Sequence, residues 1–217
     1  MQARIDAALN AHEGRLDSQR ELVYPRNEKR EHASLRAVVG SACSQHDSGD
    51  MWRASKKAMN LLSVNRGNKL SFMGFSAGGH AIFATLRQLQ SEGVNVTAVA
   101  ATGSVLDPEA FFSLGATVKQ TPKPAFYCDL KTNPHSEMRV RLRQNAVDEW
   151  HIDPGTPIRE YHSRDDAEVA YADTVTSIDK LRARGASIVV KHAPVGYSHY
   201  DTWYQAMPKT VTWFRSF

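Results

Sequence analysis

The sequence predicts an α/β fold, a mostly parallel sheet with helices on both faces. Three observations carry that prediction. From residue 70 onward, short β-rich runs alternate with helical patterns, the signature of a parallel sheet. The apolar run Leu70 to Phe75 carries no charge and reads as a buried strand. A sharp turn, Gly74-Phe75-Ser76-Ala77-Gly78, joins it to a helix patterned on Ala81, Ile82, Ala84, Leu86 and Leu89.

Length and composition set the bounds. The 217 residues, 41% hydrophobic and 23% charged, fit one globular domain over 1–217 with a real core. No apolar run approaches the ~20 residues of a membrane span. The start Met1-Gln2-Ala3-Arg4-Ile5-Asp6 lacks the apolar core of a signal peptide, which favours a cytoplasmic location or a processed chain. A net charge of +4 is mildly basic. No stripe of interleaved aromatic and basic residues accompanies it, so nucleic acid is not an expected partner. Cys43 and Cys128 are too few for a disulfide framework.

The elements follow in chain order. Ile5, Ala8, Leu9 and Leu16 suit an amphipathic helix over 2–19. The stretch 20–36 is rich in both charges, a solvated face. Leu22 to Tyr24 fits a short strand stopped by Pro25, and Leu35 to Gly40 a better one. A polar loop over 41–49 leads to a helix at 50–63. The next strand and helix are those flanking Ser76, with Gly93 as the helix terminator. Val94 to Ala101 is a second parallel strand, ended from Gly103. Residues 108–155 have no strong period and are broken by Pro122, Pro124, Pro134 and Pro154. They fit either a small helical cap above Ser76, with Phe111, Phe112 and Phe126 toward a pocket, or an ordinary layer of crossover helices. Ile158 to His162 is a strand, Tyr171 to Arg184 a helix ended by Gly185, Ser187 to Lys191 the last strand, and Thr202 to Phe217 a closing helix despite Pro208.

The turn at Ser76 carries chemistry. Gly-x-Ser-x-Gly between a strand and a helix is the nucleophile-elbow pattern, in which a strained Ser projects its hydroxyl. Small residues at 74 and 78 let strand and helix approach. The Ala77 N–H, at the positive end of the helix, can donate to an oxyanion. Three fixed positions recur by chance in roughly one chain of this length in fifteen. The discriminating test is therefore whether an acid and a His follow in order. Asp166 follows a strand end and His199 the next one. A parallel sheet gathers its catalytic loops at those ends. In this arrangement His199 takes the Ser76 proton and Asp166 fixes the imidazole tautomer.

Gly74-Phe75-Ser76-Ala77-Gly78-Gly79-His80 resembles the elbow of small α/β-hydrolase esterases, including acetyl-ester and feruloyl-ester hydrolases. Tyr161-His162-Ser163-Arg164-Asp165-Asp166-Ala167-Glu168-Val169-Ala170 resembles their acid loop, and Gly196-Tyr197-Ser198-His199 their His loop. Secretory lipases of the same superfamily match the second half similarly. The resemblance spans about residues 34–217. It implies a serine hydrolase acting on small-molecule carboxylic esters through an acyl-Ser76 intermediate, with no cofactor and no metal. The first part departs from the pattern. No His-Gly oxyanion loop precedes Ser76, so the N-terminal strands are expected to be reduced or truncated, and the second oxyanion donor is unassigned.

Other readings stand beside this one. Asp165 is the alternative acid. His162, at a strand end, reads as structural. His80 is expected to pack near the site, and His192 to face solvent. No His pair has zinc-ligand spacing. A peptidase or acyltransferase could use the same triad. A non-catalytic α/β-hydrolase-like binding protein is the rival from another class.

Overall fold

The structure is a computed structural model that describes residues 41–64, 67–113, 132–133 and 135–217, with 41–48 described by backbone alone. The chain divides into two units, Met1–Ser34 and Leu35–Phe217, and every described residue belongs to the second. Four strands, β1 (Ser71–Phe75), β2 (Ala98–Thr102), β3 (Ile158–His162) and β4 (Ile188–His192), form one sheet in the order β1-β2-β3-β4. All three pairings are parallel, with Phe75 opposite Thr102, Thr102 opposite Tyr161 and Tyr161 opposite Lys191. All four C-terminal strand ends therefore lie along one edge of the sheet.

Burial follows position in the sheet. The inner strand β2, Ala-Val-Ala-Ala-Thr, is buried at every residue. β1 and β4 are each partly exposed. β2 is covered on both faces and so reads as a continuous apolar run, whereas the other inner strand, β3, is nearly as buried but carries Arg159, Glu160 and His162.

The helices are α1 (Ser41–Leu61), α2 (Ala77–Ser91), α3 (Pro108–Ser113), α4 (Glu137–Gln144), α5 (Tyr171–Ala183) and α6 (His199–Phe214). On one face, Phe83, Leu86 and Leu89 of α2 and Ile178 and Leu181 of α5 meet Val99, Ala101, Ile158 and Ile188 of the sheet. Each of these helix side chains is fully buried and contributes about 1.5–3 kcal/mol. On the other face Ala206, Trp213 and Phe214 of α6 pack on Ala100 and Tyr161. The helices thus lie on both faces, as expected for this sheet.

Several boundaries differ from the sequence expectation. The helix before β1 runs unbroken from Ser41, where a polar loop is expected. No Pro interrupts it, and the single Gly49 costs only about 1 kcal/mol against the 21 residues of the helix. The closing helix starts at His199, three residues early. Ser198 caps it, accepting from the Asp201 N–H at 3.2 Å, and the Asp201 carboxylate accepts from the Ser198 N–H at 3.1 Å. This reciprocal box satisfies the open N–H groups of the first turn. Pro208 sits within α6 at an exposed position.

Of the segment 108–155, Val147 and Ile152 are fully buried in the α2-side core, with Trp150 packed against it. Glu109 of α3 pairs with Arg139 and Arg143 of α4. The candidate helix at 2–19, the candidate strands at 22–24 and 35–40, the side chain of Cys43, and Phe126 and Cys128 lie outside the described residues.

Candidate active site

Ser76 stands between β1 and α2 with φ 56° and ψ −121°. A non-Gly residue pays for that conformation, on the order of 1–3 kcal/mol, so the surroundings must enforce it. They do so from both sides. The Ser76 N–H donates to the Thr102 carbonyl at 2.8 Å, and the Ser76 carbonyl accepts from the N–H of Gly79 at 2.9 Å and of His80 at 3.3 Å. As the first residue of α2, Ala77 has no carbonyl four residues behind it within the helix, so its N–H is open to another acceptor.

The glycines divide the work differently from the expectation. A Cβ at Gly74 would lie 2.3 Å from the Gly78 carbonyl oxygen, so strand and helix touch there and only Gly fits. A Cβ at Gly78 would meet nothing within 4 Å. It is the backbone of Gly78, not its missing side chain, that lies close. The second steric requirement falls on Gly79, where a Cβ would sit 2.2 Å from the Ser104 hydroxyl oxygen.

Asp166 and His199 come together. His199 Nδ1 lies 2.7 Å from Asp166 Oδ2, and the imidazole is 2% exposed. The other Asp166 oxygen, Oδ1, accepts from the Glu168 and Val169 N–H groups, both at 2.9 Å. Burial pushes the Asp166 carboxyl up. His162, His199 and the Val169 N–H outweigh it and hold the group well below the usual carboxylate range. Asp166 is thereby kept ionised and aimed.

Asp165 does something else. It is exposed, and its Oδ2 accepts from the Gly196 N–H at 2.7 Å, tying the acid loop to the loop before His199. It does not cap α5, whose N-cap is Ala170. The chain turns at Arg164 and Asp165, and the two carboxylates reach different partners, Asp165 the Gly196 N–H and Asp166 the imidazole.

His199 is wedged between β1 and β2. The Phe75 ring, one residue before Ser76, lies 4.5 Å from it, centroid to centroid. Gly103, at φ 57°, also lies against the imidazole, where a Cβ would come within 2.6 Å of Cε1. Trp203 stacks on Phe75 at 5.2 Å, and Tyr200 meets it edge-on at 5.6 Å. Nε2 of His199 is buried and has no hydrogen-bond partner among the described residues. It is the nitrogen that a Ser76 proton would have to reach.

The remaining histidines separate clearly. His80 Nδ1 donates to the Val105 carbonyl at 2.8 Å, and burial pushes its pKa down. His192 is exposed. His162 is fully buried against Asp166, closer to the site than its place at a strand end suggests. Sequence reasoning missed Gly103, Ser104 and Glu160. The signal available for the first two was the Thr-Gly-Ser end of the β2 run, directly across from the Ser76 turn. Among the described residues no group of three His, Cys, Asp or Glu could hold a metal ion, and no helix is long and apolar enough to cross a membrane.

No protein-family model matches the chain, and no curated protein matches it in sequence. Solved structures match it in fold. The rice cell wall degrading esterase LipA from Xanthomonas oryzae superposes with a TM-score of 0.63 at 19% identity, over 82% of this chain and 64% of that one. A protein from Legionella pneumophila gives 0.65 at 16% identity, over 77% and 61%. An acylaminoacyl peptidase from Pyrococcus horikoshii gives 0.50 at 13% identity, over 71% and 24%. The chain spans less than two thirds of the length of each of these. At such identities the likeness is one of fold, and the chain has the α/β-hydrolase fold.

Proposed function

We propose that the protein is a serine hydrolase that cleaves carboxylic esters through an acyl-Ser76 intermediate. The observation that carries this reading is the buried 2.7 Å contact between His199 Nδ1 and Asp166 Oδ2, beside the strained turn that presents Ser76.

The chemistry follows from that arrangement. His199, with Nδ1–H donating to Asp166, has the tautomer whose Nε2 accepts a proton. Ser76 Oγ attacks the ester carbonyl as its proton passes to Nε2, and Asp166 stabilises the imidazolium. The Ala77 N–H donates to the oxygen that gains charge. The imidazolium then protonates the leaving alkoxide. Water attacks the acyl-Ser76 by the same path in reverse, with His199 as base, and releases the acid.

Phe75, Tyr200 and Trp203 supply an aromatic wall beside His199. We assign the described parts of 108–155 to the border of the pocket and expect short acyl groups to be preferred. A panel of p-nitrophenyl esters of short and long acyl chain tests both points. Turnover should fall with chain length, and Ser76→Ala should abolish it while the protein stays folded. Unchanged hydrolysis by Ser76→Ala would end the serine-nucleophile reading. The fold shared with an acylaminoacyl peptidase supports a second reading, acyl transfer from an amide. Faster cleavage of peptide p-nitroanilides than of esters would favour it.

A further inference from the structure

Behind Asp166 lies a second imidazole that the proposed chemistry does not use. His162 ends β3 and is 0% exposed. Its Nε2–H donates to the Val169 carbonyl at 3.0 Å and lies 3.3 Å from Asp166 Oδ2, the same oxygen that faces His199. Its Nδ1 lies 3.6 Å from Glu160 Oε1, an ion-pair separation. Glu160 is also 0% exposed, and its carboxylate accepts from the Ser104 N–H at 3.0 Å and the Ser104 hydroxyl at 2.9 Å.

Glu160 and His162 are two residues apart on one strand, so their side chains share a face. A carboxylate this deeply buried needs a countercharge as well as hydrogen bonds. The buried groups therefore form a row, hydrogen-bonded at its ends (Ser104 to Glu160, His199 to Asp166). The row is held at His162 by charge contacts of 3.6 Å to Glu160 and 3.3 Å to Asp166, with His162 Nδ1 making no hydrogen bond among the described residues. The other titratable groups nearest His162 are Tyr171 of α5, edge-on at 5.6 Å, and His192, its register partner on β4. Neither is an acid that could replace Glu160.

We propose that His162 is a positioning residue for Asp166, its imidazole, backed by Glu160, pinning the carboxylate oxygen that receives His199 and setting the electrostatic load on that pair. The proposal rests on the Ser76–His199–Asp166 reading of the site. Burial pushes the His162 imidazole down, but Asp166 and Glu160 outweigh it and lift its pKa to about 9. His162 is then a cation throughout the neutral range, drawing on the Asp166 charge that also steadies protonated His199. Without that cation, Asp166 holds a proton on the triad more tightly. The acidic limb of kcat/KM must then move to higher pH.

The test uses the full chain with labelled histidines and three variants, His162→Gln, Glu160→Gln and the double variant. Imidazole NMR of the unmodified protein should show His162 protonated until about pH 9, and Glu160→Gln should lower that midpoint by about one unit or more. In His162→Gln, kcat for a p-nitrophenyl ester should drop about 10–100-fold, the scale seen when a group orienting a metal ligand is lost. KM should change little, and the acidic limb should shift upward. A purely structural role would leave the shape of the pH profile alone. If His162→Gln does not fold, Glu160→Gln and the double variant, which removes Glu160 together with its countercharge, carry the comparison. The proposal is overturned if His162 titrates below about pH 7 in the unmodified protein. It is equally overturned if a folded His162→Gln keeps both kcat and the pH profile. A protein that turns over no ester, yet shows the high His162 midpoint falling in Glu160→Gln, would sink the esterase reading while leaving the buried His162–Glu160 ion pair in place.

Discussion

At the level of single residues, positions that look alike in the sequence differ in what they tolerate. Gly74 and Gly78 look alike in the motif, but a Cβ would lie 2.3 Å from a backbone oxygen at the first and in open space at the second. Gly74→Ala should therefore destabilise by about 1–3 kcal/mol or more, the cost of forcing atoms into a packed contact. Gly78→Ala should be nearly neutral, and denaturant unfolding of the pair reads the contrast. Equal losses would mean the helix does not approach the strand as described. The two adjacent carboxylates make a second contrast. Asp166→Asn should lower kcat strongly, since the amide favours the wrong imidazole tautomer; the loss is about 10⁴-fold in the best-studied triad. Asp165→Asn keeps an oxygen to accept from Gly196 and should have a minor effect. The reverse ranking in ester kinetics would assign the acid to Asp165. The candidates Ser76, Asp166 and His199 could be picked out in the sequence because their types and order follow the chemistry, and the structure brings the last two into contact. Glu160 and Ser104 were not, because a buried ion pair on a strand looks like any charged residue until the sheet places it.

At element scale, the site depends on where helices begin. α6 starts at His199 because Ser198 and Asp201 cap it reciprocally, so the imidazole sits on the rigid first turn. Ser198→Ala should cost about 1 kcal/mol of stability. It should also reduce turnover beyond that loss, since His199 is anchored by the same turn. Thermal unfolding with ester kinetics checks both, and an unchanged melting temperature would contradict the cap's role. The strands and the helices after β1, β3 and β4 could be read from apolar periodicity, give or take a few residues. The Ser-x-x-Asp box was present in the sequence yet overshadowed by the aromatic run that follows it. Only the first half of α1, residues 41–49, was hidden, because a polar stretch without apolar spacing resembles a loop.

At the scale of the whole molecule, a parallel sheet brings three distant loops to one edge, and the charges buried there couple stability to pH. Asp166 is held below its ordinary value, so its contribution is complete above about pH 4 and is lost as pH falls. His162 is raised from 6.5 to about 9, so its contribution is complete below about pH 6.5 and is lost as pH rises through 9. The melting temperature should therefore decline on both sides of neutrality. The alkaline decline should be shallower in the Glu160→Gln and His162→Gln double variant, and an identical alkaline limb would contradict the charge assignment.

If Ser76 is an activated nucleophile, a fluorophosphonate probe will label it. Peptide mapping of the labelled protein should find one adduct, on Ser76. That adduct should vanish in Ser76→Ala and weaken in Asp166→Asn. A folded protein that takes up no label, or takes it up on another residue, would contradict the claim and favour a binding protein built on a hydrolase fold.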